Sequence, residues 1–370
     1  MDLPTSEESP TESSESEALA LKTRVEARAL DLGFDLVGVA PAQPNPETQS
    51  LRQWVSRGFH GEMGWIARRL EERVDPSKVL EGARSMIAVG FSYDPGQRSS
   101  PSVNEGAIAR YAGGKDYHDV LLSPLKQLAS ELGELAGREV NSRVYVDTGP
   151  VQERAAAAYA GLGWIGKNGC LIHRELGSYV FLGVILTDLV LPPAEKTADH
   201  CGTCTACIDA CPTQAIVQPG VVDSRRCISY TTIEQRGPIP LELRESQGQE
   251  VFGCDICQAV CPWNGEKHVV PPQDALGLRT SIAPADRWVN PSLEWLLGLD
   301  EEAWRVAARK SALKRTKWRG LMRNALVAAG NSKQVQLLPL LQPFVEGEDG
   351  LLAEHASWAK QRLETIADSE

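Results

Sequence analysis

Eight of the nine cysteines of this 370-residue chain lie between positions 201 and 261, in a strict spacing. Cys201, Cys204, Cys207 and Cys211 are separated by two, two and three residues, with Pro212 behind the last. Cys254, Cys257 and Cys261 repeat the end of that run, with Pro262 behind it, and Cys227 stands between the two runs. Three thiolates spaced this closely on a tight loop reach three irons of one cubane 4Fe–4S cluster. The cysteine before proline ligates the other cluster and is expected to start a helix leading away. A full second copy would open with cysteine at position 251, which is Val251, so Cys227 takes that place. The spacing assigns Cys201, Cys204, Cys207 and Cys261 to one cluster, and Cys254, Cys257, Cys211 and Cys227 to the other.

Zinc and disulfides compete for such a set. A zinc ribbon needs two pairs for one tetrahedral ion and has no use for a Cys-Pro after each run. Disulfides need an oxidising compartment, and the N-terminus lacks the basic and apolar regions of a secretory signal. Cys170 is left over and reads as a small buried hydrophobe.

A cluster segment of this size cannot be the main core of 370 residues, so a larger body must surround it. No apolar run approaches the roughly 20 residues of a membrane span, and the expectation is a soluble, cytoplasmic monomer. Net charge is -11, but the first twenty residues hold six acids and no base, leaving -5 for the rest. That Ser/Glu-rich leader, 1–17, reads as disordered. Between Ala303 and Phe344 there is no acid, while Arg305, Arg309, Lys310, Lys314, Arg315, Lys317, Arg319 and Arg323 crowd together with Trp304 and Trp318. Most such runs are solvated helix faces; an imbalance this long in an acidic chain favours contact with a polyanion backbone.

Helical periodicity over Ala18–Leu32 ends at Gly33, and apolar runs at Phe34–Ala40, Ser85–Gly90, Arg143–Val146 and Tyr179–Thr187 read as buried strands. With helices at Leu121–Leu135 and Gln152–Tyr159 they give an alternating α/β pattern. The prolines at 192–193 and 271–272 mark boundaries. Beyond them Pro291–Gly298, Glu301–Gly330, Ser332–Phe344 and Leu351–Ile366 read as successive helices of a short helical repeat that packs on the body.

Asp147 follows the third strand in Val146-Asp147-Thr148-Gly149-Pro150, and a glycine-rich stretch comes soon after. Asp at a strand-to-helix junction is most often a helix cap. Glycines close behind it also suit a large flat cofactor, because backbone can approach without side chains intervening. Gly161-x-Gly163-x-x-Gly166 matches a dinucleotide fingerprint only weakly, since helix rather than strand precedes it.

Taken together, several blocks resemble the epoxyqueuosine reductase family: Glu72-Arg73-Val74-Asp75-Pro76, Arg110-Tyr111-Ala112-Gly113-Gly114-Lys115-Asp116-Tyr117-His118, Val146 to Pro150, Gly163-Trp164-Ile165-Gly166-Lys167-Asn168, the cysteine set with Arg226-Cys227-Ile228-Ser229-Tyr230, and Arg323-Asn324-Ala325. The resemblance implies an α/β (α+β), nitroreductase-like cobalamin-binding domain at 18–192. A ferredoxin-like domain with two 4Fe–4S clusters at 193–270 and a HEAT-like, tRNA-binding helical region at 271–370 would follow. It further implies an oxidoreductase that removes the epoxide oxygen of epoxyqueuosine at the tRNA wobble position, using cobalamin reduced through the clusters by an electron-donor protein. Asp147 would donate the proton to the leaving oxygen, which demands a carboxyl pKa raised by burial. Cofactor contacts carried over are Arg73, Asp147, Gly166, Lys167, Asn168, Gly169, Ser229 and Asp255. Arg236, Lys317 and Arg323 are the candidate tRNA contacts. No Asp-x-His-x-x-Gly stretch is present, so cobalamin is expected base-off with no protein axial ligand, and His118 as a structural residue. A corrinoid reductase of a small molecule, and an electron-transfer or corrinoid-activating protein, are the alternatives.

Overall fold

A computed structural model of the chain describes residues 12–93, 100–265, 274 and 276–368. Its centre is a four-stranded sheet of Leu36–Pro41 (β1), Ser85–Ser92 (β2), Ser142–Tyr145 (β3) and Val180–Thr187 (β4), in the order β1-β2-β4-β3. The four apolar runs are these four strands. Alternation of strands with helices does not produce a parallel sheet here: every pairing is antiparallel, with Leu36 opposite Gly90, Ser85 opposite Thr187 and Ser142 again opposite Thr187.

All eight residues of β2 are buried, because both sheet faces are covered. Side chains alternate with period two. Ile87, Val89 and Phe91 pack with Ile185 against the helices Glu12–Asp31 and Tyr117–Ala136. Met86 and Ala88 pack with Val184 and Leu186 against the alanine-rich helix Glu153–Tyr159. The first helix begins at Glu12, so residues 12–17 of the expected disordered leader are helical. The remainder of that leader and the proline pair at 271–272 lie outside the described residues.

The expected single helix Glu301–Gly330 is broken into Glu301–Ala307, a 3-10 turn Ala312–Thr316, and Lys317–Asn331. Lys310 and Lys317 have positive φ, and the buried Ser311 hydroxyl both caps Leu313 N and donates to Ala112 O at 2.9 Å. A contact from the body therefore overrides local helix propensity. Gly330 allows Lys317–Asn331 to close on Gly350–Ala367: a Cβ there would lie 2.6 Å from the Trp358 ring. These helices share one apolar core with Ile108, Ala112, Ile233, Val251 and Phe252.

Candidate active site and cluster-binding segment

Around the cysteines the local structure differs from expectation in one respect. Cys211 is followed by a turn and the strand Ile216–Gln218, and Cys261 by a 3-10 turn, so neither starts an α-helix. The helices instead carry the next-to-last cysteine of each run, Cys207 in Ala206–Asp209 and Cys257 in Ile256–Ala259. Proline then fixes φ where the chain turns off.

Cys201, Cys204, Cys207 and Cys261 line one cavity of about 250 Å³, together with Lys167, His200 and Trp263. Burial pushes the Cys207 and Cys261 thiols up, and both also feel Cys201 and Cys204. Burial likewise raises Cys227, Cys254 and Cys257. Cys227 feels Cys211, Cys254 feels Glu250 and Cys227, and Cys257 feels Cys170, Cys254, Cys227 and Cys211. Cys261 thus lies with the first run, while Cys227 and Cys257 both feel Cys211. Among the described residues no three His, Cys, Asp or Glu side chains converge to hold a single ion. All nine cysteines are free of disulfides. Trp164 Nε1 donates to Cys201 Sγ at 3.5 Å and Ala215 N to Cys211 Sγ at 3.3 Å; such bonds tune the potential of a cluster. Cys204 is exposed, while burial pushes Cys170 up to about 11, which keeps it a neutral thiol.

Asp147 lies in the turn between β3 and the helix Glu153–Tyr159, with φ +56°. It does not cap that helix, whose start at Gln152 has no side-chain cap. Asp tolerates this left-handed backbone better than most residues, and the turn leaves the side chain 64 % exposed. Tyr117 Oη donates to Asp147 Oδ2 at 2.8 Å, and His118 Nε2 lies 3.3 Å from the same oxygen. Desolvation pushes the Asp147 carboxyl upward, but the hydrogen bonds from His118 and Tyr117 and the charges of His118 and Arg154 outweigh it. The net shift is below the ordinary value, contrary to the raised pKa expected. The neighbouring Glu153 carboxyl, by contrast, is raised to about 7 by burial and by the Asp147 charge, and its Oε1 is buried without a partner. Sequence reading passed over Glu153.

The other candidates fall into two groups. Arg73 is half-buried, its guanidinium 5.0 Å from the Trp65 ring centre and its Nε buried without a partner. Ser229 hydrogen-bonds the Cys227 thiol, and Asp255 accepts from Arg110 N at 2.7 Å. The Gly166–Gly169 loop joins the short strands Trp164–Ile165 and Leu171–Ile172, so the glycine motif is a hairpin and not a strand-to-helix phosphate loop. Lys167 Nζ donates to Gly202 O at 2.7 Å and Cys204 O at 2.9 Å, and Asn168 Nδ2 to Cys257 O at 3.4 Å. Both side chains are committed to the cysteine loops. His118 has both ring nitrogens engaged by Asp116 and Asp147, which leaves no lone pair for a metal.

The basic block is largely neutralised by acids distant in sequence: Lys314 by Asp116, Arg315 by Glu234, Arg319 by Asp349, and locally Arg305 by Glu302. Arg323 is fully buried and cannot meet a polyanion. Its guanidinium donates to Gln235 O at 2.8 Å, Gly237 O at 2.7 Å and Thr231 O, clamping the loop that carries the exposed Arg236. Lys317, Arg309 and Lys310 remain exposed. Arg323→Ala is therefore expected to lower unfolding free energy by roughly 2–4 kcal/mol, because several buried carbonyls lose their donor. Chemical denaturation of the holoprotein measures it, and unchanged stability would contradict the clamp.

An α+β body fused to two sets of cluster-forming thiols, with a carboxylate held between a histidine and a tyrosine, defines an iron–sulfur oxidoreductase. The family model for a 4Fe-4S double cluster binding domain matches residues 200–264, and that for epoxyqueuosine reductase QueG matches residues 73–148. An epoxyqueuosine reductase of Vibrio cholerae is 39% identical over 92% of this chain and 91% of its own length. One from Synechocystis sp. is 45% identical over 78% of this chain and 98% of its own. A crystal structure of epoxyqueuosine reductase with an epoxyqueuosine-modified tRNA-Tyr stem loop superposes with a TM-score of 0.82 at 30% identity, covering 95% of this chain and 94% of that one. The chain belongs to the epoxyqueuosine reductase family.

Proposed function

We propose that this protein reduces epoxyqueuosine to queuosine in tRNA, drawing electrons through two 4Fe–4S clusters and using a bound cobalamin. The observation that carries the reading is the identity to an epoxyqueuosine reductase along 92% of the chain. Cys227, Cys254 and Cys257 suit a cluster: raised by burial, these thiols ionise at neutral pH only where iron replaces their protons. The buried, unpartnered Arg73 Nε and Glu153 Oε1 suit a corrinoid, whose amide side chains offer both acceptors and donors. When bound, the corrinoid supplies a strongly reducing metal centre for opening the epoxide. Arg73, Asp147, the backbone of 166–169, Ser229 and Asp255 would hold it. Asp147 delivers protons to the oxygen that leaves. Residues 18–192 form the nitroreductase-like cobalamin domain, 193–270 the ferredoxin-like domain and 271–370 the HEAT-like region that meets tRNA. An electron-donor protein supplies the clusters. Among the described residues no helix is long and apolar enough to cross a membrane, and we read the protein as a cytoplasmic monomer.

The direct test is anaerobic holoprotein with a low-potential reductant and tRNA carrying epoxyqueuosine, scored by mass spectrometry for loss of one oxygen from the nucleoside. No conversion with both clusters and cobalamin loaded would sink the reading. For the RNA face, Arg236→Ala and Lys317→Ala are each expected to lower the salt-dependence slope of stem-loop binding by about 1. Fluorescence anisotropy across a salt series measures it, and an unaltered slope removes that residue from the interface.

A further inference from the structure

Turning an epoxide into an alkene breaks two C–O bonds, consumes two electrons and two protons, and releases the oxygen as water. The clusters supply the electrons. Both protons, on the reading above, pass through Asp147, a carboxylate that this structure holds ionised, so a donor must stand behind it.

His118 has the geometry of that donor. Its Nδ1 lies 2.6 Å from Asp116 Oδ1 and its Nε2 3.3 Å from Asp147 Oδ2. A neutral imidazole has one N–H and one lone pair, and here it would have to turn the lone pair against a carboxylate oxygen. The ring between two carboxylates is therefore the imidazolium. Its orientation is fixed from the side: the Tyr117 ring stacks on it at 4.1 Å and on Phe181 at 4.2 Å, and Tyr117 Oη bonds the same Asp147 oxygen. Asp116 is nearly buried, and its second oxygen receives Lys314 Nζ at 2.6 Å from the 3-10 turn Ala312–Thr316, which keeps it ionised.

We infer that His118 is a positioning residue, held as imidazolium by Asp116, that passes each of the two protons to Asp147 for delivery to the departing oxygen. The inference rests on Asp147 being the group that protonates that oxygen. In each passage the His118 Nε2–H bond breaks as an Asp147 O–H bond forms. That O–H bond then breaks as the oxygen gains the proton. In the first passage one C–O bond cleaves with its electron pair moving to oxygen while the two electrons supplied by the clusters reach that carbon; in the second that carbon's electron pair becomes the second bond of the alkene as the hydroxyl leaves as water. Between passages His118 regains a proton from solvent, to which its side chain is 30% exposed.

Charges around the pair hold the proton on His118 at rest, and the strongly basic leaving oxygen draws it through Asp147. Burial alone would lower the His118 pKa, but hydrogen bonds to Asp116 and Asp147 push it up to about 9. Asp147 also faces Arg154, and Arg73, Arg315 and Glu153 all feel its charge. A pKa raised from 6.5 means that the relay is charged at neutral pH and is lost as pH rises through about 9.

The test uses oxidised holoprotein labelled with ¹⁵N-histidine, and single-turnover rates on tRNA carrying epoxyqueuosine. His118 is expected to titrate near pH 9, and the rate to fall along a basic limb at the same pH. Asp116→Asn, which keeps the shape and removes the charge, moves midpoint and limb together toward lower pH. His118→Gln abolishes the limb and lowers the rate by roughly 10²-fold. A residue that only braced the fold would leave the limb where it is. Wild-type turnover upholds the function on which the inference rests. Turnover by His118→Gln at the wild-type rate with its limb intact, or an imidazole already neutral at pH 7, overturns the inference alone.

Discussion

Replacing Asp147 with asparagine is expected to cut conversion of epoxyqueuosine in tRNA by roughly 10²–10⁴-fold while leaving iron content, cobalamin uptake and thermal stability near wild type. Asparagine fits the same turn, and at φ +56° it is among the residues that tolerate such backbone. Its carbonyl oxygen can still accept from Tyr117 Oη, so the local packing survives. What it cannot do is carry a proton between His118 and the leaving oxygen. A second signature follows from electrostatics: without the Asp147 charge, His118 loses one of the two partners that raise its pKa, and its titration shifts to lower pH. Iron and cobalt analysis, single-turnover kinetics and histidine titration together decide the matter. Wild-type turnover by this variant would remove Asp147 from the chemistry.

Replacing Cys227 with alanine should have the other large effect. Two cubanes hold about eight irons, and the variant is expected to bind about half. Cys227 stands at the start of the helix Ile228–Ile233, hydrogen-bonded to Ser229 and to the backbone N–H groups of Ser229 and Tyr230. The exposed set around Cys204 keeps its four ligands and should still assemble. The expected result is a protein whose surviving cluster is reducible, but which fails to reduce bound cobalamin and to turn over tRNA. Cobalamin reduction at the wild-type rate would mean that electrons do not pass through the Cys227 site, and that the order of the relay is reversed.

Part of this site was legible because chemistry ties it to short spacing. Cubane ligation needs thiols two residues apart, and buried strands need continuous apolar runs, so both survive reading one residue at a time. Charge did not survive in the same way. Arg305 to Arg323 contains no acid and has only Glu302 as a local partner, yet Asp116, Glu234 and Asp349 reach it from three other parts of the chain. Arg323 read as a surface cation because arginine is seldom fully buried; only the fold reveals the carbonyls that satisfy it. The Asp147 carboxyl was expected high because protonating a leaving oxygen demands it, whereas His118 and Tyr117, some thirty residues earlier, were not seen to converge on it. Strand direction was likewise hidden, since a buried run has the same composition in either orientation.

Arg323 and Asn324 have a bearing on how the holoprotein is made. From one turn of a C-terminal helix they bond Thr231, Thr232, Gln235 and Gly237, just beyond Cys227, and Val251, just before Cys254. The peptide that braces two cysteine positions therefore leaves the ribosome after every cysteine has already emerged. The brace for that inner site is thus the last part of it to be made. A nascent or truncated polypeptide would display all eight thiols and still lack the splint that sets the inner four in register.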